Sequence, residues 1–239
     1  MENDAKGKMS ALLTLEEGEI CKGEPEFLSI LYRLGVRMMT ITWNYENSLG
    51  FPNMKMPLSP DNDSHSYTLA KERGLKEKGI ALLEEMERLG IIIDVSHLSD
   101  AGFYDVLRNT SKPFVASHSN ARSVGSAVRN LTDDMIRALA DRGGIAGVNF
   151  CRDFLGKPEF GRDYLHQTVR QMKYMINVGG EDFVALGSDF DGISPYEDLR
   201  DCRVVPRLAD EMKKEGFSHT QIEKIFFQNA LRLYRELLS

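Results

Sequence analysis

Six short apolar runs punctuate the chain, and longer stretches with apolar residues at helical spacing lie between them. The runs are Ala11 to Leu15, Val36 to Thr42, Ile91 to Val95, Phe114 to Ser117, Ile145 to Phe150 and Phe183 to Gly187. Their apolar residues tend to be consecutive rather than alternate, which predicts strands buried on both faces. Alternation of such strands with helices predicts a parallel sheet of βα units. The segment EPEFLSILYRLG puts Phe27, Ile30, Leu31 and Leu34 on one helical face and stops at Gly35. The segment GLKEKGIALLEEMERLG does the same with Leu75, Ile80, Leu83, Met86 and Leu89, and stops at Gly90. In both, glycine ends the helix and a strand follows at once. Ser99 opens a helix through Leu107, Thr132 with Asp133 and Asp134 caps another, and Ser218 with Gln221 makes a capping box for the last.

Residues Trp43 to Tyr67, rich in Asn, Pro, Asp and Ser, follow neither period. Loops of this length in compact domains are uncommon and often functional. Following a strand, this one is placed either to cover the face where strands end or to run out as a surface excursion.

With 239 residues and 42% hydrophobic content, the chain suits one core. An α/β barrel of about 250 residues forms a single domain, so residues 1–239 are expected to be one barrel domain. The net charge of −6 disfavours nucleic acid and anionic membrane as partners, because both reward a basic face. Cys21, Cys151 and Cys202 are far apart and form no CxxC pair, so neither a disulfide framework nor a thiolate zinc site is indicated, and a reducing cytoplasm is expected. The opening MENDAKGKMS is charged rather than apolar, unlike a secretory signal or anchor. No later apolar run reaches the roughly 20 residues of a membrane span.

Of five histidines, two share one architectural position: His97 follows IIIDVS and His118 follows FVAS, each at the end of a strand. In parallel barrels that edge carries inward-pointing ligands and catalytic groups. One such histidine alone is more simply a satisfied core residue, but a pair on consecutive strands favours a shared ion. Glu16, just after the first run, is the third candidate, with Glu17 as its rival. His65, His166 and His219 lie in a loop or in polar helical stretches and are expected in solvent. The string GSDFDG after the last strand offers Asp189 and Asp191 on the same side of an extended backbone, although Asp and Gly are also ordinary turn residues. Imidazole and carboxylate donors without thiolate suit catalytic zinc and related metals, whose bound water becomes a nucleophile near neutral pH. No GxSxG serine pattern competes.

Taken in order, the strings LTLEEG, LGVRMMTITWNYEN, RLGIIIDVSHLS, PFVASHSNARSVGSAVRNLTDDMI, GGIAGVNF and VALGSDFDGI resemble the membrane (renal) dipeptidase family of zinc metallopeptidases, soluble bacterial members included. The resemblance runs from about Leu12 to the C-terminus. It implies a (β/α)8 barrel with two zinc ions, bridged by a carboxylate and a hydroxide, that hydrolyses dipeptides with a free C-terminus. By this resemblance Glu16 is the bridging carboxylate, and His97 and His118 complete the second metal. Asp189 shuttles the proton, Arg129 grips the substrate carboxylate, and Asp94 supports the site from behind. Three departures stand out: no HxD pair occurs, the runs number six rather than eight, and Trp43 stands where the family often has histidine, a place from which it can pack against substrate. The expectation is therefore a barrel incomplete at its N-terminus, with one zinc or none, and open edges inviting self-association or a complementing chain. A catalytically inactive fragment and a barrel hydrolase of another substrate class are the alternatives.

Overall fold

Parallel strands cannot be joined by tight turns, so each needs a crossover, and helices supply it here. The structure, a computed structural model, describes residues 6–54, 72–194 and 196–238. In chain order its elements are β1 (Leu13–Glu16), α1 (Glu26–Arg33), β2 (Val36–Thr40), α2 (Glu77–Leu89), β3 (Ile92–Asp94), α3 (Asp100–Asn109), β4 (Val115–Ala116), α4 (Asp133–Asp141), β5 (Ile145–Val148), α5 (Arg152–Leu155), α6 (Tyr164–Gly179), β6 (Val184–Leu186), α7 (Val205–Lys214), α8 (His219–Glu223) and α9 (Asn229–Leu237). All six predicted strands form. They pair in parallel in the order β1-β2-β3-β4-β5-β6. This is a parallel α/β barrel architecture with six strands and an unclosed sheet: among the described residues, β1 and β6 pair on one side only.

The predicted caps are present. Ser99 Oγ accepts from Gly102 N, Thr132 Oγ1 accepts from Met135 N, and Ser218 and Gln221 form the full capping box. Gly90 ends α2 at φ 80°, a left-handed conformation that glycine adopts without a Cβ clash.

Strands β2 to β6 expose no residue on either face, but the edge strand β1, expected to be buried like them, is mostly exposed, with Leu13 at 52%. Ile91, Ile93, Phe114 and Val184 point outward into the layer of helices, where they meet Leu82, Met86, Phe103 and Met175. Ile92, Val115, Ile145 and Ala185 point the other way and pack against Leu233 of α9. Two residues further along that inner face, apolar side chains give way to Thr40, Asp94 and Ser117, which are hydrogen-bonded to one another. The inner face thus runs from an apolar floor, through a hydroxyl and carboxylate layer, to the strand ends where the site lies.

Helix α1 departs from expectation. Leu28 is its buried residue, whereas Phe27, Ile30 and Leu34 are 43%, 54% and 70% exposed. Helical periodicity found the apolar stripe, but α1 flanks the edge strand β1, and no described element covers its outer side. Of the predicted loop, residues 43–54 are described, and residues 55–67, His65 among them, lie outside the described residues. No helix among the described residues is long and apolar enough to cross a membrane.

Candidate metal centre

Every strand delivers a polar group at its C-terminal end. Glu16 is the last residue of β1, and the registers Glu16↔Thr40 and Thr40↔Asp94 set it on the same face as the hydroxyl layer. His97 follows β3 after a turn and adopts φ 68°, a left-handed conformation uncommon for a residue with a Cβ. His118 stands two residues beyond β4. Strain of this kind persists where the surroundings hold it, and it clusters at functional sites.

The three side chains converge. Glu16 Oε1 lies 2.9 Å from His97 Nε2 and 3.3 Å from His118 Nε2, and the two Nε2 atoms are 2.8 Å apart. The rivalry between Glu16 and Glu17 resolves by geometry. Glu17, at φ 114°, turns away to accept from Glu19 N, Trp43 N and Asn47 Nδ2, and so ties down the loop after β2.

The far side of each ring fixes its tautomer. His97 Nδ1 is 2.8 Å from Asn44 Oδ1, an acceptor, so the ring proton belongs on Nδ1. Ser117 Oγ donates to Asp94 Oδ2 and therefore accepts from His118 Nδ1, 2.7 Å away. Both Nε2 atoms then turn lone pairs toward each other and toward a carboxylate oxygen. With nothing between them this is repulsive; a cation resolves it. A tetrahedral zinc with metal–nitrogen distances of about 2.0–2.1 Å sets its ligand atoms roughly 3.3 Å apart, close to the 2.8–3.3 Å found here. The donor set therefore fits a first-row divalent metal.

Without an ion, either ring can instead carry a proton toward the carboxylate, and such hydrogen bonds, from His118 first and His97 second, hold the Glu16 carboxyl well below the usual carboxylate range, so it is charged. Burial first, and the Arg129 charge second, push His97 down to about 3, so the ring is neutral and able to ligate.

Arg129 is 2% exposed, and its contacts are long: Nη1 to Ser119 Oγ and Nη2 to His118 O are both 3.4 Å. Burial pushes it down to about 10, and the charges of Asp94, Asp189 and Glu16 counteract this, which places it within electrostatic reach of the site. It remains a cation at neutral pH with no carboxylate in direct contact among the described residues. Trp43 is 37% exposed, with its indole centroid 6.3 Å from the His97 ring.

Asp189 and Asp191 correct an expectation. They sit at φ 62° and 68°, in a turn rather than on extended backbone, so strand alternation does not apply to them. Asp189 Oδ2 accepts from Asn149 Nδ2 at 2.9 Å, while Asp191 is exposed. His166 is a second correction: it is 7% exposed, not in solvent. Helix α7 covers it and brings Glu211 Oε1 and Glu215 Oε1 to 3.2 and 3.5 Å from its Nδ1. Those three, like Glu16, His97 and His118, could hold an ion. His219 is exposed, as expected, at 81% for its side chain.

Sequence reasoning missed Asn44, Ser117 and Asn149. Asn149 is fully buried; besides Asp189 it contacts His118 O, and its Oδ1 accepts from Cys151 N. Its signal was its place at the end of β5, the same position that singled out the histidines.

The family described as membrane dipeptidase, peptidase family M19, matches residues 1–238. An uncharacterised protein in the pqqA 5′ region of Klebsiella pneumoniae is 38% identical over 219 residues, 90% of this chain and 77% of that one. An uncharacterised dipeptidase of Schizosaccharomyces pombe is 34% identical over 215 residues, 86% of this chain and 47% of that one. Among solved structures, a metallopeptidase from Rhodobacter sphaeroides liganded with a phosphinate mimic of the dipeptide L-Ala-D-Ala superposes with TM-score 0.85 and 31% identity. That match covers 98% of this chain and 65% of the other. A structure described as dipeptidase AC, a metallopeptidase of family M19, gives TM-score 0.86 and 31% identity, covering 98% of this chain and 68% of its own. The chain thus spans about half of the yeast relative and about two thirds of these structures.

Proposed function

This chain belongs to the membrane dipeptidase family, peptidase family M19, and from that premise we propose that it is a zinc-dependent dipeptidase acting on dipeptides with a free C-terminus. The observation that carries the reading is the convergence of two imidazole Nε2 atoms and one carboxylate oxygen beside a buried guanidinium with no acidic partner in contact among the described residues. Glu16, His97 and His118 hold the ion. When bound, it supplies Lewis acidity that brings the pKa of its water from about 15.7 toward 7. Arg129 takes the substrate carboxylate through its forked Nη donors, which leaves the scissile bond near the strand ends. Asn149 occupies Oδ2 of Asp189, so Oδ1 is the atom that carries a proton to the leaving amine. Trp43 packs against a substrate side chain.

The test is hydrolysis of a dipeptide panel with zinc added, set against C-terminally amidated analogues, lactones and phosphoesters. Chelator-sensitive turnover confined to free dipeptides supports the reading, and preference for lactones or phosphoesters removes it. Arg129→Ala should weaken binding of free-carboxylate substrates, and equal losses on the amidated analogues would count against the clamp.

The edges of β1 and β6, unpaired among the described residues, favour a second reading, in which the chain is a non-catalytic or partner-dependent barrel subunit. Metal content and turnover of the isolated chain separate the two: bound zinc with chelator-sensitive hydrolysis supports catalysis, and a metal-free chain, or hydrolysis only when a second chain is added, supports the subunit.

A further inference from the structure

Three polar atoms buried behind the site have no hydrogen-bond partner among the described residues: Nε of Arg129, Oδ1 of Asn53 and Oδ1 of Asn130. Their residues are 2%, 8% and 1% exposed, and all three residues line one small void whose other walls include Val95, Leu98, Phe103, Ser119, and Asp100 and Arg122, which neutralise each other in a two-bond ion pair. Left unmet, each such atom costs about 1–3 kcal/mol, so a fold that buries three together must satisfy them. The void measures about 10 Å³, close to the roughly 10–15 Å³ that one water needs.

The chemistry of the three atoms selects the occupant. One is an N–H donor and two are carbonyl acceptors. The Asn130 orientation is fixed, because its Nδ2 donates to Gly125 O at 2.6 Å and Phe154 O at 2.7 Å, leaving Oδ1 over. An anion satisfies the donor but repels both acceptors, and a cation does the reverse. A single water matches all three: its oxygen accepts from Nε–H, and its two hydrogens go to the two amide oxygens.

We propose that this void is a built-in hydration site holding one water, which locks the guanidinium of Arg129 by its Nε edge and makes Asn53 a positioning residue for it. Asn53 sits in the loop after β2, and its backbone N donates to His97 O at 2.7 Å. The water therefore links the guanidinium to the segment bearing His97 and leaves both Nη groups, with only long contacts, turned to other partners. The hydration site stands independently of the proposed reaction; only the effect of Asn53 on substrate affinity rests on it.

A crystal structure of the wild-type chain at high resolution should show one ordered water within about 2.7–3.2 Å of all three atoms, and an empty void overturns the proposal. Asn53→Leu fills the void and should expel the water. It should raise KM for a dipeptide about tenfold, the loss of one hydrogen bond to a charged group, with kcat within about twofold. Asn53→Ala keeps room for the water and should change KM less. An unchanged KM in Asn53→Leu, or a larger effect in Asn53→Ala, overturns the positioning role. Ordered water in a wild-type chain that turns over no dipeptide confirms the hydration site while removing the proposed reaction.

Discussion

Replacing Asp94 with asparagine should weaken metal binding by changing the tautomer of His118, which it does not touch directly. Asp94 is 1% exposed. Its Oδ1 accepts from Ser96 N at 3.0 Å and Ser117 N at 2.9 Å, and its Oδ2 accepts from the hydroxyls of Thr40, at 2.7 Å, and Ser117. Backbone donors cannot turn round, so in Asp94→Asn the amide oxygen must face them and the NH2 group must take the Oδ2 position. That NH2 donates to Ser117 Oγ, whose hydroxyl then swings to donate to His118 Nδ1, 2.7 Å away. The ring proton is driven to Nε2, which loses its lone pair for the ion. Partners that orient a ligating histidine are worth roughly 10–100-fold in metal affinity, about 1.4–2.7 kcal/mol. Asp94→Asn belongs near the upper end because it imposes the wrong tautomer. Ser117→Ala only releases the right one and belongs near the lower end. The assay is a chelator-competition titration of zinc, with each variant's fold checked by thermal melting. Wild-type affinity in Asp94→Asn, or a greater loss in Ser117→Ala, would refute the relay.

Asp189→Asn should retain metal but lose turnover by on the order of 100-fold or more, the usual contribution of a general acid or base; unchanged turnover removes its role. In Gly147→Ala the added Cβ would stand 2.1 Å from Ser117 O and 2.8 Å from Gly187 Cα. That overpacking should cost about 1–3 kcal/mol, read from a denaturant midpoint, and an unshifted midpoint contradicts the close approach of β4, β5 and β6. Lys214 first, and His166 after it, hold the Glu211 carboxyl below its ordinary range. Its stabilisation is therefore full above the ordinary carboxylate pKa and is lost as pH falls through the lowered folded value. Because Lys214 is exposed, Glu211→Gln should cost under about 1 kcal/mol at pH 7. The deficit should shrink as pH falls below the ordinary carboxylate range and through the lowered folded value, and a deficit that grows in acid contradicts the pairing.

The strands and the convergence of the two histidines were legible because both depend on local pattern. A consecutive apolar run entered from a helix-ending glycine, as at Gly90, gives a doubly buried strand, and a histidine just past it inherits a fixed direction. What stayed hidden depends on neighbours. The stripe on α1 was visible, but not that its outer side lacks a covering element; the burial of His166 depends on α7, some forty residues later in the chain. The turn at Asp189 was misread because left-handed φ at aspartate leaves little trace in composition. Asn149 and Ser117 look like ordinary polar residues until the fold sets them against Asp189 and His118.

Because each polar group at the rim arrives on its own βα unit, the chemical tasks are distributed rather than pooled in one loop. A systematic scan of substitutions should therefore find narrow troughs of intolerance, spaced about one unit apart along the chain, with permissive helical surface between them. Lineages can in this way reshape one unit's loop to admit a new side chain without disturbing the polar groups held by the others.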